Sequence, residues 1–136
     1  MKRNLTISTN VTDPGQNIVS IKDIAGIVNY STDLVLCDTL EDIEPNNLQG
    51  FISQLLNKVR PGGYVVFKFL DTKKICAEFL SNKISTENFV NYFNSKNNLV
   101  TLDILYSLLD TKTFAIMKVQ QEQDSISLTI QRMSVW

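Results

Sequence analysis

The sequence predicts an α/β domain whose sheet is mostly parallel and ends in an antiparallel hairpin, and three observations carry that prediction. Residues 31–71 read as a strand, an acidic loop, an amphipathic helix, a Pro-Gly-Gly turn and a second strand, which together make a β-α-β unit. Residues 64–70 form a nearly unbroken apolar run, as expected of a strand buried on both faces of a parallel sheet. Residues 114–119 and 126–130 instead alternate apolar with polar side chains around a polar connection, as a hairpin with one wetter face does.

The elements follow in order. Residues 4–8 are a short β-type segment, and residues 9–15 are loop material closed by Pro14-Gly15. Ile18 and Val19 make a second, very short strand. Ser20 is placed to cap a helix whose apolar side is Ile21, Ile24, Ala25, Ile27 and Val28, with Asp23 favourable in its first turn. Residues 32–37 are a third strand, and residues 38–45 an acidic loop at its carboxyl end. Phe51, Leu55, Leu56 and Val59 recur at helical spacing from Asn46 onward. Arg60-Pro61-Gly62-Gly63 is expected to stop that helix, since proline cannot continue the ladder and glycine allows positive φ. After the apolar run, Asp71-Thr72 caps a helix with Ile75, Phe79 and Leu80 turned inward. Ser85 caps a short helix carrying Phe89, Val90, Tyr92 and Phe93, and Thr101 starts another with Ile104, Leu105, Leu108 and Leu109.

With 136 residues and 43% hydrophobic content the chain has the size of one domain with one core, spanning residues 1–136. A net charge of −1 and scattered lysines leave no strong nucleic-acid signal. No run of about 18 apolar residues is present, so no membrane span is expected. Lys2 and Arg3 are followed by no continuous apolar segment, so no secretory signal is read and a cytoplasmic location is expected. Cys37 falls in a buried strand and Cys76 on the buried side of a helix, so both are read as small hydrophobes rather than as a disulfide framework or reactive thiols. The chain has no histidine, which removes the commonest general base near neutral pH and the commonest zinc ligand, and no metal site is expected.

Three stretches carry a resemblance: residues 32–37, then Leu40-Glu41-Asp42-Ile43, then Val59-Arg60-Pro61-Gly62-Gly63-Tyr64. In this order and spacing the chain resembles the class I S-adenosylmethionine-dependent methyltransferases, a Rossmann-like fold, over residues 18–130. Residues 71–93 and 102–116 look most like the short, divergent members encoded by bacteriophages and sugar-modifying gene clusters. A phage source would imply a virion-associated protein or one in the host cytoplasm. The family holds its cofactor chiefly through a glycine-rich loop after the first strand. Here that position is Ile7-Ser8-Thr9-Asn10-Val11-Thr12, which has no glycine, with Gly15 nearby. A Cβ at each glycine position would crowd the approach of backbone N–H groups. The acidic residues nearest the place of a ribose ligand are Asp13 and Asp23, and Asp42 stands where the family has a histidine or aromatic residue.

The resemblance therefore implies a methyltransferase-like domain with a degenerate cofactor loop. It would have no cofactor and no catalytic residue, and would serve as a scaffold or interaction protein, such as a phage assembly component, for a protein partner or through self-association. The alternative is an active small methyltransferase with a non-standard loop, holding S-adenosylmethionine through Ser8, Thr9, Asn10, Asp38, Thr39, Leu40 and Glu41. Beside that stands a structural reading of Asp38 and Glu41 as a solvated loop helping to cap the following helix, and of Pro61-Gly62-Gly63 as turn geometry. Met133, Val135 and Trp136 are a candidate contact patch, or a terminus packed on its own sheet edge.

Overall fold

A computed structural model describes residues 4–7, 18–19, 21–94 and 96–133. Six strands form one sheet: β1 (Asn4–Ile7), β2 (Ile18–Val19), β3 (Thr32–Cys37), β4 (Val59–Leu70), β5 (Phe114–Glu122) and β6 (Ser125–Arg132). Their order across the sheet is β2-β1-β3-β4-β6-β5. The first four run parallel, and β6 joins β4 antiparallel with β5 outside it, as the alternation predicted. The helices are α1 (Pro45–Leu56), α2 (Thr72–Leu80), α3 (Thr86–Phe93) and α4 (Leu102–Leu108). Residues 21–26 form a 3₁₀ turn rather than the longer helix expected there, and Ser20 lies outside the described residues.

Local signals placed the helix starts correctly. Asp71 Oδ1 accepts from the Lys74 N–H at 3.2 Å, Ser85 Oγ from Asn88 at 3.1 Å and Thr101 Oγ1 from Ile104 at 3.4 Å. Each cap satisfies one of the N–H groups that a first helical turn cannot pair internally. Helix α1 starts with Pro45 in its first turn, where a missing N–H costs nothing.

Two expectations about β4 are corrected. Pro61-Gly62-Gly63 does not stop the helix: α1 ends at Leu56, and these residues lie inside β4. Thr32 pairs with Val59 but Leu34 with Tyr64, so β4 carries its extra residues as a bulge opposite β3. Gly62 supplies φ +82° there, and at Gly63 an added Cβ would lie 2.8 Å from Val59 Cγ1 and 2.9 Å from the Asp33 carbonyl oxygen. Arg60 pairs with Asp33 across the bulge, and Gln131 Nε2 donates to the Gly62 carbonyl at 3.1 Å.

The second correction concerns residues 64–70, which are buried on one face only. Val65, Phe67 and Phe69 join Leu5, Ile7, Val35, Cys37, Leu128 and Ile130 in the core, under Leu48, Phe51, Ile52, Leu55 and Leu56 of α1 and Leu105 of α4. Full burial of a valine, leucine, isoleucine or phenylalanine among these contributes about 1.5–3 kcal/mol. Among the side chains pointing the other way, Thr6, Leu34 and Val66 are half-buried, while Leu36, Tyr64 and Lys68 are exposed. Leu80, expected to face inward, is 80% exposed. Cys76 is half-buried rather than buried.

Candidate functional site

Parallel strands place ligand chemistry at their carboxyl ends, at the point where the strand order reverses. Here the chain passes from β1 to β2 on one side, then returns across β1 to β3 and continues to β4 on the other. The reversal therefore lies between β1 and β3, beyond Ile7 and Cys37, where the Asp38 N–H reaches the Ile7 carbonyl at 3.5 Å. The loop after β3 ends this crevice with a 3₁₀ turn over residues 40–42.

The described residues expected at this site divide into two groups. Asp38 is exposed at the end of β3, on the rim of a groove of about 210 Å3 that runs over Thr6, Leu36, Val66, Lys68 and Ser127. Thr39, Leu40 and Glu41 are buried. Leu40 belongs to the core, and Thr39 Oγ1 lies 3.6 Å from Cys37 Sγ. Burial is the main cause that pushes the Cys37 thiol up to about 11, so it is a protonated core residue at neutral pH.

Glu41 is neither solvated nor a helix cap, which corrects the structural reading of this loop. Its side chain turns beneath the loop, where Oε2 accepts from the Leu70 N–H at 3.3 Å. Its carbonyl accepts from the N–H groups of Asn97 and Asn98 at 2.9 and 3.0 Å. One residue thus ties the end of β3 to the end of β4 and to the segment before α4. Burial raises its carboxyl above the ordinary carboxylate range, against the opposing pull of Lys96. The residue at the N-cap of α1 is Glu44, and its side chain makes no cap bond.

Ser8, Thr9, Asn10 and Asp13 lie outside the described residues, as do Val135 and Trp136. Met133 is half-buried, its N–H held by the Thr113 carbonyl at 2.9 Å. Lys68, Val66 and Ser127, which line the groove, were not anticipated. The signal for them was present: a lysine in the middle of an apolar strand marks a face turned to water.

A second cavity of about 120 Å3 lies at the carboxyl end of β4, between Leu70, Thr72, Val100 and Leu102, with Lys73 and Asp103 paired at 3.0 Å beside it. Sites that enclose a cofactor-sized ligand commonly measure about 300–1,000 Å3. Neither hollow at the strand ends reaches that size. Of the four described residues expected to hold S-adenosylmethionine, Thr39, Leu40 and Glu41 are buried and Asp38 is exposed. Among the described residues there is no cluster of acidic and cysteine side chains able to hold a metal ion, and no helix is long and apolar enough to cross a membrane.

No protein-family model matches the chain, and no curated protein sequence matches it. Solved structures do match. An S-adenosylmethionine-dependent methyltransferase from Archaeoglobus fulgidus superposes with TM-score 0.67 at 12% identity, over 96% of this chain and 86% of that one. One from Thermotoga maritima gives TM-score 0.67 at 11% identity, over 97% and 83%. An O-methyltransferase family protein from Burkholderia thailandensis gives 0.62 at 15% identity, and there this chain spans 44% of the other's length. The chain has the α/β, Rossmann-like fold of the class I methyltransferases, at a sequence distance where likeness reaches the fold alone.

Proposed function

We propose that this chain is a methyltransferase-fold domain that does not use S-adenosylmethionine and works as an interaction or scaffold protein, through a protein partner or further copies of itself. The observation that carries this reading is the burial of Thr39, Leu40 and Glu41. The loop after β3, which in an open α/β sheet would offer side chains to a ligand, has been turned into core and into a tie to Leu70. The missing glycines between Ile7 and Thr12 support the same reading, because a Cβ at each glycine position of such a loop would crowd the approach to its backbone N–H groups. The sheet itself loses nothing by this change, since its core lies on the face packed by α1.

One observation favours the second reading, an active small methyltransferase: Asp38 remains exposed at the switch point, on the rim of the groove. A single titration separates the two. Thermal unfolding is followed with S-adenosylmethionine, and separately with its demethylated product, from micromolar to millimolar concentration. A ligand at 100 times its Kd stabilises by about 2.7 kcal/mol, which moves Tm by several degrees. The interaction reading expects no shift. A saturable rise in Tm, abolished by Asp38→Ala, would replace it with the enzyme reading.

A further inference from the structure

The outermost strand of the sheet, β5, has no neighbour beyond it among the described residues. Residues 116–122 are exposed one after another, so that along this stretch neither side of the strand is packed into the core. Such an edge presents a row of backbone N–H and C=O groups, which is a template for a further strand. A bulge falls between Ile116 and Lys118, and a bulge interrupts pairing where it stands. The regular part of the edge is therefore residues 118–122, and it carries one cation, Lys118, and one anion, Glu122. A lysine and a bulge commonly protect an edge from indiscriminate pairing; here their placement leaves one pairing favoured.

We propose that this edge pairs antiparallel with the same edge of a second copy, about a two-fold axis through Gln120, joining two sheets into one; this deepens the interaction reading above and rests on it. Side-chain face and hydrogen-bond direction both alternate along a strand with a period of two, so in a symmetric antiparallel pair a residue opposes only a residue of its own parity. With the axis at Gln120, Lys118 opposes the partner's Glu122 and Glu122 the partner's Lys118. Opposite charges placed directly across a strand pair attract, and both pairs arise from one operation, as an isologous contact requires. Lys118, Gln120 and Glu122 share one face, in register with Thr129, Ser127 and Ser125. Gln120 meets the partner's Gln120, and an amide both donates and accepts. On the other face Val119, 45% exposed, lies beside the partner's Gln121. Glu122 already lies 3.6 Å from Lys68, so in the dimer it stands between that ammonium and the partner's Lys118.

Neighbouring registers lose these pairs. An axis at Lys118 sets ammonium against ammonium, which is destabilising. An axis at Val119 puts Lys118 against the partner's Gln120 and Glu122 against the partner's Ile116. An axis at Gln121 carries Lys118 past the end of the strand to Asp124, which Lys74 and Tyr92 already hold. The two charges thus select the register by repulsion as well as attraction. Residues 118–122, rising about 3.4 Å each, make a contact about 17 Å long and one strand wide, well under the ~1,600 Å2 of a standard interface. The dimer is therefore weak and reversible, and its exposed ion pairs make it sensitive to salt.

Sedimentation equilibrium on the full chain from about 5 to 500 μM, at low and at high salt, tests it. The expected result is a monomer–dimer equilibrium whose Kd rises several-fold with salt. Lys118→Glu sets glutamate against glutamate and should raise the Kd about tenfold, as should Glu122→Lys, which sets lysine against lysine. The double variant carrying both exchanges restores opposite pairs and should return the Kd to within a few-fold of wild type, a recovery that damage to the fold would not give. Amide hydrogen exchange should slow with concentration within residues 118–122 and not elsewhere in the sheet. A wild type that stays monomeric to about 500 μM overturns the proposal. So does a dimer indifferent to both single exchanges, or one whose concentration-dependent protection lies outside β5. The cofactor titration is run on the same samples: S-adenosylmethionine binding overturns the parent reading, whereas a monomer that binds none removes the edge contact and leaves the parent reading with a different protein as partner.

Discussion

Glu41 offers the most direct test of how the strand ends are held. Its side chain is 4% exposed, and the bond it accepts from the Leu70 N–H fastens the loop after β3 to the end of β4. Glu41→Leu keeps the volume but leaves that buried N–H without an acceptor, at a cost of about 1–3 kcal/mol, or roughly 3–15 °C in Tm for a domain of this size. Glu41→Gln keeps an acceptor and mimics the protonated acid. Burial raises the folded carboxyl above its ordinary value of 4.5, with Asp42 and Asp38 acting in the same direction and Lys96 against it. The folded state therefore holds the proton more tightly than the unfolded chain. By linkage, the stabilisation this gives is complete below the unfolded value and is lost as pH rises through the folded one. Wild type and Glu41→Gln should then match at low pH, with the glutamine variant more stable at pH 8. Urea unfolding across pH 4–9 measures both curves. A difference that is flat with pH, or largest at low pH, would refute the argument.

Other outcomes follow from single positions. Gly63→Ala sets a Cβ against Val59 and the Asp33 carbonyl oxygen and should cost about 1–3 kcal/mol by overpacking, read as a lower urea midpoint at unchanged slope. Leu55→Ala removes a fully buried side chain of α1 and should cost about 2–5 kcal/mol in the same assay. Asp71→Ala should cost about 1 kcal/mol through the lost cap of α2, visible as a fall in Tm. With its thiol pushed up to about 11 and buried, Cys37 should resist iodoacetamide at pH 8 far longer than half-buried Cys76; peptide mass spectrometry over time would show the order.

What was legible in the residues was local. Asp71, Ser85 and Thr101 announced their helices because a cap and its N–H partner lie three residues apart, and the hairpin announced itself by alternation. Pro61-Gly62-Gly63 was harder to place, because the chemistry that ends a helix also makes a bulge. The partner that decides between them, Asp33, lies on another strand. Residues 64–70 hid their geometry for a related reason. Tyr64, Val66 and Leu70 are apolar enough to make an exposed face look buried, and Lys68 alone betrays the period of two. Glu41 is the extreme case: a carboxylate in an acidic loop reads as solvated, and its burial depends on a backbone N–H 29 residues onward.

Among the described residues, the open side of the sheet and the shallow strand ends have one physical origin. A crevice at a switch point has depth when helices rise on both sides of the sheet and side chains project above the strand ends. Here α1 and α4 pack one side, and the side chains after Asp38 turn down into that same core. The other side is left as a groove of about 210 Å3 rather than an enclosed pocket. A face with Leu34, Leu36, Tyr64 and Val66 on it gains by being covered, at about 25 cal/mol per Å2 of apolar surface removed from water. The same packing that buries Leu40 beneath the loop after β3 thus leaves Asp38 and the row of Leu36 and Val66 on the side of the sheet that meets water.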